Sequence, residues 1–193
     1  MGDPRRLKKK YKNPIHPWQE ARIEEEKSLI KNYGLKNKRE IRKMEAVLRK
    51  FTEQAKKLIV TRNVQAEKER AVMLKRIYEM GFTQNPNPQL DDALALTLDK
   101  IMDRRLQTIV YRKGYANTIK KARQMITHGH ILVGEKKISS PGYLVSRAEE
   151  ELVIIDPKSK FASPEHPERN VQKKEKKKTE KNESPRREGR ERK

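Results

Sequence analysis

Apolar residues recur at three- and four-residue spacing through Ile41, Met44, Leu48, Phe51, Ala55, Leu58 and Ile59, the cleanest helical stripe in the chain. The opposite side of that helix carries Arg39, Arg42, Lys43, Arg49 and Lys50. One side is therefore core, and the other is either solvated or laid on phosphate. Asn37 followed by Glu40 is a candidate capping pair at its start. A helix is expected before it over 19–32, with Ile23, Leu29 and Ile30 inward and Gly34 as its stop. Another is expected over 65–80, packing through Met73, Leu74, Ile77, Tyr78 and Met80 and ended by Gly81. After the turn Asn85-Pro86-Asn87-Pro88, Asp91 is the expected N-cap of a helix carrying Leu94, Leu98, Ile101 and Met102.

From residue 104 the pattern shortens. Leu106, Ile109 and Val110, with the stem of Arg112, form one face of a short helix that Gly114 stops. Asn117 or Thr118 caps a second, in which Ile119, Ala122, Met125 and Ile126 face inward while Lys120, Lys121, Arg123 and Gln124 project outward. Gly129 ends it. Ile131-Leu132-Val133 is a buried-strand run, Gly134-Glu135 a hairpin turn with Gly first, and Ile138 brings the chain back. Tyr143-Leu144-Val145 and Leu152-Val153-Ile154-Ile155 read as two more strands. Strands this short are not stable alone and must pack on the two helices. The predicted fold class is α+β and helix-rich. The expected organisation is a basic extended arm over 1–18, a helical domain over 19–102, a two-helix, short-sheet module over 103–156 and a basic low-complexity tail over 157–193.

Composition decides what such a scaffold is for. Lys and Arg number 48 against 27 Asp and Glu, a formal net charge of +21. A highly charged but merely solvated surface would balance the two signs. A surplus this large favours a polyanion, because each neutralised phosphate releases condensed counterions. In the arm, Arg5, Arg6, Lys8, Lys9, Lys10 and Lys12 surround Tyr11. This segment either orders against a partner or frays. Arg39, Arg42 and Lys43 extend the candidate RNA-facing set onto the long helix. No helix has a helix-turn-helix or basic-zipper pattern, so DNA is not the expected partner. Three Phe, one Trp and six Tyr suit recognition of RNA backbone and shape better than base stacking.

The chain has no cysteine, which removes disulfides, zinc knuckles and thiol chemistry. No apolar run approaches the roughly 18 residues of a membrane span, and no signal core follows the basic start. A cytoplasmic protein with no membrane partner is expected. There is no phosphate-binding Gly-rich loop, no dinucleotide fingerprint and no nucleophile elbow. Asp91, Asp92, Asp99 and Asp103 read as helix-dipole and surface charge rather than metal ligands. His128 and His130 stand at a helix-to-strand junction, where contact with phosphate or capping suits them better than a metal. No catalytic residue, metal or cofactor is expected.

The stretch from Arg104 to Ile155 resembles the S-four RNA-binding module, of the alpha-L type. The likeness extends beyond that module. Tyr33-Gly34-Leu35-Lys36-Asn37-Lys38-Arg39-Glu40, Leu90-Asp91-Asp92-Ala93-Leu94-Ala95-Leu96-Thr97-Leu98, Arg104-Arg105-Leu106-Gln107-Thr108, Ser140-Pro141-Gly142-Tyr143-Leu144-Val145 and Ala162-Ser163-Pro164-Glu165-His166-Pro167-Glu168-Arg169 resemble the archaeal type of the small-subunit ribosomal protein four family. The resemblance covers roughly residues 2–170. It implies a structural, non-enzymatic protein that binds small-subunit rRNA early in assembly of the 5′ domain. It also implies contact with small-subunit protein five and other small-subunit proteins, and an influence on translational accuracy. By position, the family's RNA-facing residues map onto Arg104, Arg105, Arg112, Lys113, Lys120, Lys121, Arg123, Gln124, His128 and His130. An assembly factor of the same fold, as in a small nucleolar ribonucleoprotein, is the alternative. An RNA-modifying enzyme carrying such a module would need a catalytic domain, and no span resembles one.

Two departures from the family pattern stand out. Many such modules have Asn-Gly at the hairpin turn, where this chain has Gly134-Glu135. Many have Gly-Asp before the last strand, where this chain has Ala148-Glu149-Glu150-Glu151. Three carboxylates there would repel RNA, so this edge is expected to face solvent or a basic protein.

Overall fold

The computed structural model describes residues 9–61 and 63–162. Helices α1 (Glu20–Tyr33), α2 (Lys38–Val60) and α3 (Val64–Glu79) come first. Then follow α4 (Leu90–Leu94), α5 (Leu98–Asp103), α6 (Leu106–Arg112) and α7 (Ile119–Thr127). Strands β1 (Ile131–Val133) and β2 (Lys136–Lys137), helix α8 (Arg147–Glu151), strand β3 (Val153–Ile155) and a 3₁₀ turn at Lys160–Ala162 complete the order. The fold is α+β and helix-rich. Arg5, Arg6 and Lys8, and the expected tail from residue 163 onward with most of the Ala162–Arg169 block, lie outside the described residues.

Two apolar cores form. In the first, α2 buries Ile41, Met44, Phe51, Ala55 and Leu58, and its neighbours α3, α4 and α5 close over them. Phe51 meets Phe82 edge-on at 5.6 Å and 73°. Ile59, expected in the stripe, is exposed instead. Leu58 takes the inward position in that last turn, and the next residue lies about 100° round the helix.

In the second core, Leu106, Ile109, Val110, Ala122, Met125 and Ile126 from α6 and α7 pack on Ile131, Val133 and Val153. The sheet runs β2-β1-β3, antiparallel throughout. Its register sets Val133 against Val153 and Ile131 against Ile155. Leu132 and Ile154, also paired, therefore share the opposite face. Gly134 turns the hairpin with φ +61, in the left-handed region that the absence of Cβ allows.

Buried polar groups join the cores. Gln107, fully buried on α6, donates Nε2 to the Ile119 carbonyl at 3.0 Å and the Gly34 carbonyl at 3.2 Å. Gly34 ends α1 with φ +57, and a Cβ there would stand 2.8 Å from Ile119 Cγ2. The end of α1 therefore touches the start of α7 only because residue 34 has no side chain.

Four further expectations change. The single helix expected after Asp91 is two, α4 and α5, with Leu96 buried at the break between them. The helix start moves to Gln89, whose N–H donates to Asp92 Oδ2 at 2.9 Å, so Asp92 rather than Asp91 satisfies the entry. Tyr143–Val145 does not form a strand. It makes one bridge, Arg105 to Leu144, with Leu106 N–H on the Tyr143 carbonyl at 2.8 Å and Val145 N–H on the Arg104 carbonyl at 2.9 Å. The ladder stops there because Ser146 caps α8: Glu149 N–H donates to Ser146 Oγ at 3.3 Å and Ser146 N–H to Glu149 Oε2 at 2.9 Å. Finally, 157–162, expected in the tail, packs on the module, with Phe161 against the second core.

Candidate nucleic-acid interface

Arg105 immediately precedes α6 and its side chain is 1% exposed. Its Nη2 donates to Glu40 Oε2 at 2.5 Å. Arg123, from α7, donates Nη2 to Glu40 Oε1 at 2.7 Å and Nη1 to Oε2 at 3.1 Å. Neither projects freely as expected: Arg105 is buried, and Arg123, expected outward on α7, is only 23% exposed. A partly buried carboxylate recruits every cation in reach, and Glu40 holds two guanidiniums between α2, α6 and α7. Nor does the Asn37–Glu40 pair cap α2 through side chains, since the Asn37 side chain makes no cap bond. Burial alone would raise the Glu40 carboxyl, but the hydrogen bonds from Arg123 and Arg105 outweigh it and hold the group below its ordinary value.

Arg104 and Lys113 are also turned into the protein. Arg104 pairs with Glu150 at 2.6 Å and donates Nη2 to the Val145 carbonyl at 3.0 Å. Lys113 donates Nζ to the Glu150 carbonyl and, at 3.3 Å, to that of Val153. These contacts also correct the acidic edge. Glu149 accepts from Tyr143 Oη at 2.6 Å and Glu150 is spent on Arg104, so only Glu151 of the three carboxylates is exposed without such a contact in this cluster. One carboxylate expected to repel RNA, Glu150, is thus paired with a cation expected to bind it, Arg104.

Other members of the expected set stay outward or partly so. Lys120, Gln124 and His128 are exposed and fall on one side of α7 at four-residue spacing. Lys121 is half-buried, its ammonium 5.2 Å from the centre of the Phe161 ring. Arg112 is 57% exposed and pairs with Asp103 at 2.6 Å, a surface pair of small worth that a phosphate can displace. On the other core, Arg39 and Lys43 are exposed, and Arg42 donates to Asn13 Oδ1 at 3.2 Å. Lys9 and Lys10 are exposed at the start of the described chain.

His128 and His130 stack with ring centres 6.2 Å apart. His130 lies against Phe161 at 4.9 Å, and its Nδ1 is 2.9 Å from Ser159 Oγ. Burial, then the nearby charges of His128 and Lys137, push the His130 imidazole below its usual range. At neutral pH it contributes a neutral ring rather than a cation. The junction role foreseen for the pair thus falls on His130, while His128 faces outward. No group of three or more His, Asp or Glu suited to a metal occurs among the described residues.

Sequence reasoning missed Lys136 and Lys137. Both are exposed on β2, directly after the Gly134 turn, and Lys137 reaches Asp156 at only 3.5 Å. Adjacent lysines just past a hairpin turn were the available signal. With Lys120, they supply mobile ammonium groups that suit phosphate contacts without base discrimination.

Comparisons with known proteins place the chain in a family. Residues 104–152 match the S4 domain. The small ribosomal subunit protein uS4 of Methanococcus aeolicus is 51% identical over 169 residues, 88% of this chain and 96% of that protein. The protein of the same name from Methanococcus maripaludis strain C5 is 48% identical over 171 residues, 89% of this chain and 96% of the relative. At that identity over nearly the whole of both chains, the protein belongs to the family of small ribosomal subunit protein uS4.

Proposed function

We propose that the chain is a structural, non-enzymatic constituent of the small ribosomal subunit in the cytoplasm, and that it binds small-subunit rRNA directly. The observation that carries this reading is the sorting of charge on the module. Its carboxylates Glu149 and Glu150 are engaged within the protein, while Lys120, Lys136 and Lys137 extend into solvent. Such an outward cationic surface suits an A-form backbone, read by phosphate and 2′-hydroxyl contacts. Arg39, Lys43, Lys9 and Lys10 extend the same charge to the helical part. Arg5, Arg6 and Lys8 belong to the same basic arm. The two apolar cores support a division near residue 103 into a helical domain and a module, the latter running past the expected 156 to take in Phe161.

Within this reading the chain nucleates assembly of the 5′ domain, and through small-subunit protein five it influences translational accuracy. Both follow from family resemblance together with the basic surface. Sedimentation of a tagged full-length chain tests the reading. One copy per mature small subunit is expected. Occurrence only in precursor particles would overturn it in favour of a transient assembly factor.

A further inference from the structure

Trp18 is the chain's one tryptophan, and it is 88% exposed. Ile15, three residues before it, is 89% exposed. Phe51 and Phe82, by contrast, pack edge to face in the first core, and the next most exposed aromatic, Tyr111, is 40% exposed. The segment bearing Trp18 is not loose. Arg22 on α1 donates to the His16 carbonyl, and Arg42 on α2 donates to Asn13 Oδ1 at 3.2 Å. These two bonds tie the segment to α1 and α2, and the exposed indole stands just before α1. The ground around it is cationic. Lys9, Lys10, Lys12 and His16 share its segment, and Arg22, Arg42 and Arg49 line the groove beside it, with Glu26 and Glu45 opposing. Glu26 is itself taken by Lys38 at 2.8 Å.

A single exposed apolar side chain is ordinary. An exposed indole on a tethered, cation-rich segment is the arrangement by which proteins stack on unpaired bases while their charges follow the phosphates. We propose that Trp18 stacks on an unpaired base of the RNA, making the tethered segment a second contact, apart from the module, that reads single-stranded rather than helical RNA. This rests on the rRNA-binding reading above and modifies the expectation that the chain recognises backbone and shape alone.

The lone tryptophan makes the test direct, because its emission reports this site and nothing else. The full-length chain is titrated with a 5′-domain transcript of small-subunit rRNA. Emission should be quenched along the same isotherm as binding. Trp18→Ala should weaken binding about 5- to 150-fold while leaving the salt dependence unchanged, since stacking releases no counterions. Trp18→Phe should recover much of the loss, because a π-face remains. Undiminished binding by Trp18→Ala, or unquenched emission in the saturated complex, overturns the proposal. Emission untouched by rRNA but blue-shifted within whole small subunits assigns Trp18 to a protein pocket and equally overturns it. If the unaltered chain fails to bind the transcript at all, the parent reading itself fails, and the same titration shows this before any variant is made.

Discussion

Glu40→Ala should lower the unfolding free energy by about 3–5 kcal/mol, among the largest effects available to a single substitution outside the apolar cores. The cost falls on Arg105. With the carboxylate gone, a guanidinium that is 1% exposed keeps its charge and has no anion to face. Its remaining contact is a 3.7 Å approach of Nη1 to Met102 Sδ, too weak to compensate. Arg123 has an escape that Arg105 lacks, since its side chain is 23% exposed and can reach water. It follows that Glu40→Leu combined with Arg105→Met should recover most of the loss, because removing both partners leaves no orphaned charge. Urea unfolding of the singles and the double measures this, and additive losses would refute it. The sign of the pH effect follows from the same contact. Glu40 is held below its ordinary value in the fold, so its stabilisation is full above the unfolded-state value of about 4.3. It is lost as pH falls through the folded-state value. Glu40→Gln should therefore flatten the acid limb of the stability profile and leave its alkaline side unchanged in shape.

Met125→Ala should cost about 2–5 kcal/mol and act on the module in particular. Met125 sits inside the second core with Ile109, Ile126, Ile131 and Val153, where the small sheet packs on the two helices it covers. Truncating it leaves a void at the centre of that packing. Loss of the β-sheet amide protection at a denaturant concentration where the first core persists is the expected hydrogen-exchange result. Lys120→Ala, a few residues earlier on the same helix but exposed, should fall within about 0.5 kcal/mol of wild type. Equal effects at the two positions would show that the inward face of α7 has been misassigned.

The contrast between those two residues marks how much the sequence could reveal. A 3.6-residue period separates Met125 from Lys120 without any structure, and it found every long helix among the described residues. It failed where the period was too short to read. Ala95-Leu96-Thr97 breaks the fourth helix without Pro or Gly, and only the burial of Leu96 explains the break. Ser146 followed by Glu149 is a capping box in plain view, yet the sequence reading expects strands on either side and no helix between them. The candidate site was legible in composition and less so in detail. Charge can be counted from sequence, but its destination cannot. Glu40 lies 65 residues from Arg105 and 83 from Arg123, and nothing local reports that one carboxylate claims both. Lys136 and Lys137 gained importance in turn because the fold leaves them exposed.

Some cations hold the fold and others meet RNA, and salt titration separates the two groups. Affinity for the 5′-domain rRNA transcript is measured across ionic strength for the unaltered chain, for the triple variant Lys120→Ala, Lys136→Ala, Lys137→Ala, and for Arg123→Ala. Each phosphate left without its lysine should reduce the slope of log Kobs against log salt by about 0.7 to 0.9, so the triple variant should be shallower by up to about two to three units while remaining folded. Arg123→Ala should lose stability and keep the slope. A folded triple variant with the unaltered slope, or a slope that falls with Arg123 instead, would contradict this division of the cations.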